Sequence, residues 1–125
     1  MAKRVLVVED NELNLKLFCD LLRAHGHEAL GISDGRDALA EARRFAPDLI
    51  VTDINLPHVS GLDIIMSLKR DPTLATVPVM AVTAYAGKGD EEQIRTAGAE
   101  AYVSKPISVL KFMDTVNGLF ISQQQ

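Results

Sequence analysis

Short, almost uninterrupted apolar runs alternate along this chain with longer stretches of helical period, and the alternation predicts βα units repeated within one domain. The first run, Arg4 to Val8, is apolar at every position after Arg4, as a strand must be when crossover helices cover both its faces. It is therefore placed at the centre of a parallel sheet. Asn11 to Ala24 reads as a helix whose inward positions are Leu13, Leu17, Leu21 and Ala24, flanked by Phe18 and Leu22, with Gly26 to close it. The second strand, His27 to Ile32, is less apolar and suits an edge. Asp34 is the expected N-cap of a short helix that buries Ala38, Leu39, Ala42 and Phe45 and stops before Pro47. Strand three is Asp48 to Thr52, and Ser60 caps a helix with Leu62, Ile64, Ile65 and Leu68 inward and Asp71-Pro72 as its stop. Val77 to Val82 forms strand four. GKGDEEQIRTAGA offers little apolar surface, so its helix is expected to be the least firmly packed. Ala101 to Val103 is strand five. A last helix, Ser108 to Phe120, buries Val109, Phe112, Met113 and Val116, with 121–125 as a loose tail. Right-handed crossovers around a central first strand favour the order 2-1-3-4-5, a flavodoxin-like three-layer α/β sandwich of five parallel strands and five helices.

A length of 125 residues fits one domain spanning the chain, large enough to fold without a disulfide or metal staple. The 13 basic and 17 acidic residues leave a formal charge of −4, which argues against binding a nucleic-acid backbone. Cys19 has no partner within the chain, and its helical setting points to a free thiol in a reducing compartment. The run after MAKR breaks at Glu9, too early for a signal-peptide core or a membrane span, so a cytoplasmic location without membrane contact is expected.

Chemistry gathers where the strands stop. VLVV ends on Glu9 and Asp10, LIVT on Asp53, VMAV on Thr83, and AYVS on Lys105. In a parallel sheet of this order the first and third strands flank the topological switch point, so the three carboxylates face one crevice. Carboxylates that close raise one another's proton affinity, and their joint ionisation needs a cation. Oxygen-only donors without a Cys or His cluster select Mg²⁺ over zinc. An aspartate can attack phosphorus to form an aspartyl phosphate, and Asp53, alone at its strand end, is the best nucleophile. Lys105 offers a point charge and Thr83 a hydroxyl donor for the transferred group. Taken singly, each of these residues has a plain structural role: Glu9 and Asp10 as capping or solvated charges, Thr83 as a β-branched strand end, and Lys105 as a lysine before a turn.

Together, the Glu9-Asp10 pair, Asp53 in TDINLPHVSG, Thr83 in VTAYA and Lys105-Pro106 in YVSKP resemble the receiver domains of two-component response regulators over essentially the whole chain. The resemblance implies that Asp10 and Asp53 ligate Mg²⁺ with the backbone carbonyl of Asn55, and that Glu9 acts through water. It implies that Asp53 accepts a phosphoryl group from a histidine kinase or histidine phosphotransferase. EDNELNLKLF, GDEEQIR and AEAYVSKPIS look most like the single-domain members that regulate cell polarity and division. With nothing after the last helix, output is expected through phosphorylation-dependent protein-protein binding. Passing the phosphoryl group onward in a relay is the alternative. Catalysis would extend only to the chain's own phosphorylation and dephosphorylation.

By the same resemblance Thr83 moves toward the phosphoryl group and Tyr102 turns inward to fill the space vacated. The readout face would be helix four, strand five and helix five, near Ala86, Gly87, Lys88, Ile94, Ala99 and Tyr102. Kinase docking is expected at Asn14, Leu17, Pro106 and Ile107, where apolar groups border an acidic site. Lys105-Pro106 is a candidate cis bond. Two other classes fit less well. A haloacid-dehalogenase-like phosphatase needs an acid where Asn55 stands, and a flavodoxin needs a Ser, Thr and Gly phosphate cradle where EDNELN stands.

Overall fold

The computed structural model describes residues 2–84 and 87–123. Five strands form one parallel sheet: β1 (Arg4–Val8), β2 (Glu28–Ile32), β3 (Leu49–Asp53), β4 (Val79–Thr83) and β5 (Ala101–Ser104). Their order is β2-β1-β3-β4-β5, as the central apolar first run requires. The helices are α1 (Glu12–Ala24), α2 (Ala38–Phe45), α3 (Gly61–Arg70), α4 (Lys88–Ala97) and α5 (Val109–Gln123). Burial follows the sheet: β3 and β4 are buried at every residue, whereas β2, at one edge, is mostly half-buried.

Strand periodicity sorts the core into two layers. Val5, Val7, Val51, Met80, Val82 and Val103 face α1 and α5. Leu6, Val8, Ile50, Val79 and Ala81 face α2, α3 and α4. In the first layer the Phe18 and Phe112 rings stack with centroids 4.9 Å apart at 7°, joining α1 to α5.

Several local expectations are corrected. The buried face of α1 is Phe18, Cys19 and Leu22, with Leu15 packed against it; Leu13 and Leu17 are 80 % and 37 % exposed, and Ala24 is exposed. Both stripes have helical spacing, and the choice is steric. A Cβ at Gly31 of β2 would stand 2.9 Å from Leu15 Cδ1 and 3.0 Å from Cys19 Sγ, so this glycine leaves the notch that seats α1. Asp34 caps a 3-10 turn, Gly35–Asp37, that precedes α2, because its carboxylate accepts from Arg36 N one turn earlier than expected. Asp53 and Thr83 lie inside their strands as last residues. Val109 is 47 % exposed, and α5 continues to Gln123 where a tail was expected from residue 121. Of the described side chains on α4, Ile94 and Ala97 alone are buried, in keeping with its polar sequence.

Candidate functional site

The C-terminal ends of β1, β3, β4 and β5 carry Glu9-Asp10, Asp53, Thr83 and Lys105 to one edge of the sheet. The register places them there: Val8 pairs Thr52, Asp53 pairs Val82, and Thr83 pairs Ser104. One carboxylate oxygen from each of Glu9, Asp10 and Asp53 lies within 4.8 Å of the others. Glu9 and Asp53 are each 1 % exposed, and Asp10 is exposed.

Asp53 is held at both oxygens. Lys105 Nζ donates to Oδ2 at 2.7 Å, and the Asn55 backbone N–H donates to Oδ1 at 2.8 Å. Lys105 Nζ also stands 3.8 Å from Glu9 Oε2. Lys105 follows β5 directly, its N–H bonded to the Thr83 carbonyl at 2.8 Å, and the Lys105-Pro106 peptide is cis.

Glu9 is the strained member. Its Oε1 accepts from Asn11 N at 3.1 Å, while Oε2 is buried without a hydrogen-bond donor among the described residues. Burial, then the neighbouring Asp53 carboxyl, push its pKa up from 4.5 to about 7, against the opposing pull of Asn11 N–H and Lys105. Burial works against the Lys105 ammonium. Its bond to Asp53 and the charges of Asp53, Glu9 and Asp10 outweigh this and raise its pKa. An orphaned carboxylate oxygen within a cluster of three carboxylates is a fit for a hard cation with oxygen ligands.

Thr83 is buried at the end of β4. Ala81 pairs Tyr102, two residues back from the Thr83–Ser104 pair, so Thr83 and Tyr102 share one face of adjacent strands. Tyr102 is half-buried against the second core layer, with the Arg95 guanidinium 5.7 Å from its ring centroid.

Of the expected docking residues, Leu17 and Pro106 are exposed, and Asn14 and Ile107 are half-buried. The Asn14 N–H is taken by Asn11 Oδ1, the N-cap of α1, and Ile107 packs on the first core layer. On the expected readout face, Gly87 is exposed, whereas Ile94 and Ala99 are buried in the second core layer and line its underside. Ala86 and the Lys88 side chain lie outside the described residues. Leu13, the most exposed large apolar side chain on α1, was missed because the helical pattern assigned it to the core. The Asn11 and Asn55 N–H groups were also missed, since backbone donors leave no residue-type signal.

The response regulator receiver domain family model matches residues 5–117, and the chain belongs to that family. Over 116 residues it is 56 % identical to the polar-differentiation response regulator DivK of Brucella anthropi, covering 93 % of this chain and 94 % of that one. A chemotaxis response regulator of Vibrio cholerae superposes with a TM-score of 0.90 over 95 % of this chain and 99 % of that one. At 23 % identity it supports the fold alone. The receiver domain of a Pseudomonas aeruginosa sensor histidine kinase, solved with a magnesium ion coordinated in its active site cleft, is 28 % identical with a TM-score of 0.86. That match covers 95 % of this chain and 98 % of the other.

Proposed function

We propose that the chain is a cytoplasmic phosphorylation switch in which Asp53 accepts a phosphoryl group from the phosphohistidine of a histidine kinase or histidine phosphotransferase. The observation that carries the proposal is a buried Asp53 whose oxygens are held by Lys105 Nζ and Asn55 N–H, within 4.8 Å of Glu9 and Asp10 carboxylate oxygens. Glu9, Asp10, Asp53 and the Asn55 carbonyl are the groups that would hold Mg²⁺, which when bound neutralises charge around the phosphoryl oxygens. The magnesium ion in the Pseudomonas aeruginosa relative supports that assignment.

An Asp53 carboxylate oxygen attacks phosphorus, and the phosphorus–nitrogen bond of the donor breaks with its electron pair leaving on the imidazole nitrogen. Lys105 exchanges the carboxylate oxygen for a phosphoryl oxygen, keeping its charge on the group that gains negative charge. Thr83 turns its hydroxyl toward the new oxygens. Tyr102, on the same face one strand over, follows into the vacated space. The chain acts on no separate substrate. Its output is altered protein binding at the face formed by α4, β5 and α5, and its donor docks on the exposed Leu13, Leu17 and Pro106 around α1 and the β5–α5 loop. The 56 % identity to a polar-differentiation regulator supports a role in cell polarity and division.

Incubation with acetyl phosphate and MgCl₂, read by intact-protein mass spectrometry, tests the acceptor. One phosphoryl group is expected on the wild-type chain and none on Asp53→Asn. Modification that persists in Asp53→Asn removes the assignment.

A further inference from the structure

Gly61, the first residue of α3, is pressed against the acceptor's own backbone. A Cβ built there would stand 2.2 Å from the Asp53 carbonyl oxygen, 2.5 Å from Ile54 Cα and 2.9 Å from the Asp53 carbonyl carbon. Ordinary contact begins at about 3.5 Å, so any side chain at this position must displace the Asp53–Ile54 peptide by roughly 1 Å. Its φ lies outside the left-handed region, so the demand is for space and not for backbone freedom. The Gly61 N–H donates back to Ile54 O at 3.0 Å, and Ser60 Oγ caps the helix through Leu62 N at 3.2 Å. On the other side, the Ile54 N–H is bonded to Val82 O at 2.9 Å. The peptide that follows the acceptor is thus gripped between β4 and the first turn of α3. The next residue, Asn55, donates its N–H to Asp53 Oδ1.

We propose that Gly61 is a positioning residue of the acceptor site: by having no side chain it lets α3 seat on the Asp53–Ile54 peptide, which aims Asp53 and Asn55 at the cation and the incoming phosphorus. The inference rests on the acceptor reading above. A shift of roughly 1 Å in a reacting group, or the loss of a supporting contact to a metal ligand, costs about 10- to 100-fold in rate or metal affinity.

The test compares wild type, Gly61→Ala and Gly98→Ala. Gly98, at the end of α4, has φ +119 and a Cβ there would meet Lys69 Cγ at 2.7 Å, so Gly98→Ala strains the fold without touching the acceptor loop. Calorimetric titration with MgCl₂ and the rate of modification by acetyl phosphate are measured at matched folded fractions from circular dichroism. Gly61→Ala is expected to lose about 10- to 100-fold in both, and Gly98→Ala to keep both while losing thermal stability. Wild-type values in folded Gly61→Ala, or equal losses in the two variants, overturn the proposal. Amide hydrogen exchange on the wild-type chain decides independently if Gly61→Ala does not fold. The Gly61 N–H is expected to exchange as slowly as the β3 amides, and exchange at the rate of the exposed loop overturns the clamp. A wild-type chain that gains no phosphoryl group refutes the acceptor reading, and the MgCl₂ titration and amide exchange still decide the clamp.

Discussion

Lowering the pH should stabilise the metal-free protein through Glu9 while weakening its hold on Mg²⁺. Glu9 is 1 % exposed with one oxygen lacking a hydrogen-bond donor among the described residues, and its pKa rises from 4.5 to about 7 on folding. An acid whose folded pKa is raised costs stability at pH above both values. The cost is relieved as pH falls through the folded value, because the folded chain then binds a proton the unfolded chain does not. A shift from 4.5 to about 7 corresponds to about 3 kcal/mol, present in full above about pH 7 and gone below about pH 4.5. A cation bound by the ionised form must expel that proton, so apparent MgCl₂ affinity should fall about tenfold per pH unit below about pH 7 and level off above it. Calorimetric titrations at about pH 6 and pH 8, in buffers of different ionisation enthalpy, count the proton released, and thermal unfolding without metal follows stability. His27, whose pKa is lowered chiefly by burial, contributes stability that is lost on acidification and opposes the trend. Glu9→Gln is therefore subtracted at each pH. Equal MgCl₂ affinity at both pH values, or a wild-type minus Glu9→Gln difference that does not change with pH, would refute the reasoning.

Three further outcomes follow from the same geometry. Lys105→Met leaves a buried Asp53 without its cation, and since Lys105 is about a quarter exposed the expected loss is about 2–4 kcal/mol in metal-free buffer. MgCl₂ should restore part of it, and denaturant midpoints unchanged from wild type would contradict this. Leu13→Asp should shift stability by no more than about 0.5 kcal/mol and Leu17→Asp, the less exposed of the two, should cost about 1–2 kcal/mol, both leaving acetyl phosphate labelling intact. Transfer from a histidine kinase should slow, and unslowed transfer removes α1 as the docking element. Phe112→Ala should cost about 3–5 kcal/mol by opening the core where it stacks on Phe18, as urea denaturation would show.

The fold was legible because parallel strands leave a strong trace. A run such as VLVV, with no polar alternate, has few places to go except a sheet covered on both faces. The candidate site was legible for a related reason: residues that end strands in one sheet end up side by side, so Glu9, Asp10, Asp53 and Lys105 needed only the strand order to meet, with Thr83 ending the strand between Asp53 and Lys105. What escaped depends on small atoms and backbone. On α1, two stripes of equal period compete. The notch left by Gly31, which lies on another element, decides that Leu15 and Cys19 go in while Leu13 and Leu17 stay out. Asp71, expected only to stop α3, is 6 % exposed. It takes Arg43 from α2 at 2.6 Å and both the N–H and the hydroxyl of Thr73, a junction that no local pattern announces.

The misread stripe ties the fold to signalling. A helix that packed every leucine inward would present mainly charged groups, Glu12, Lys16, Asp20 and Arg23, of which the last three are already paired along α1 by Lys16–Asp20 at 2.7 Å and Arg23–Asp20 at 4.0 Å. Such pairs on an exposed face contribute little, and displacing them offers a partner little. Rotating the helix so that Phe18 reaches Phe112 leaves Leu13 and Leu17 outward on the helix that follows Glu9 and Asp10 in the chain, where the docking proposed above would bury them. On the docking proposed above, the stacking that joins α1 to α5 also sets which apolar groups are offered to the phosphoryl donor. Mutations at the Phe18–Phe112 contact should therefore slow transfer from a kinase more than modification by acetyl phosphate, since by this proposal the small donor uses only the carboxylates and Lys105, whereas the protein donor also uses α1 at this rotation; equal slowing of the two rates would refute it.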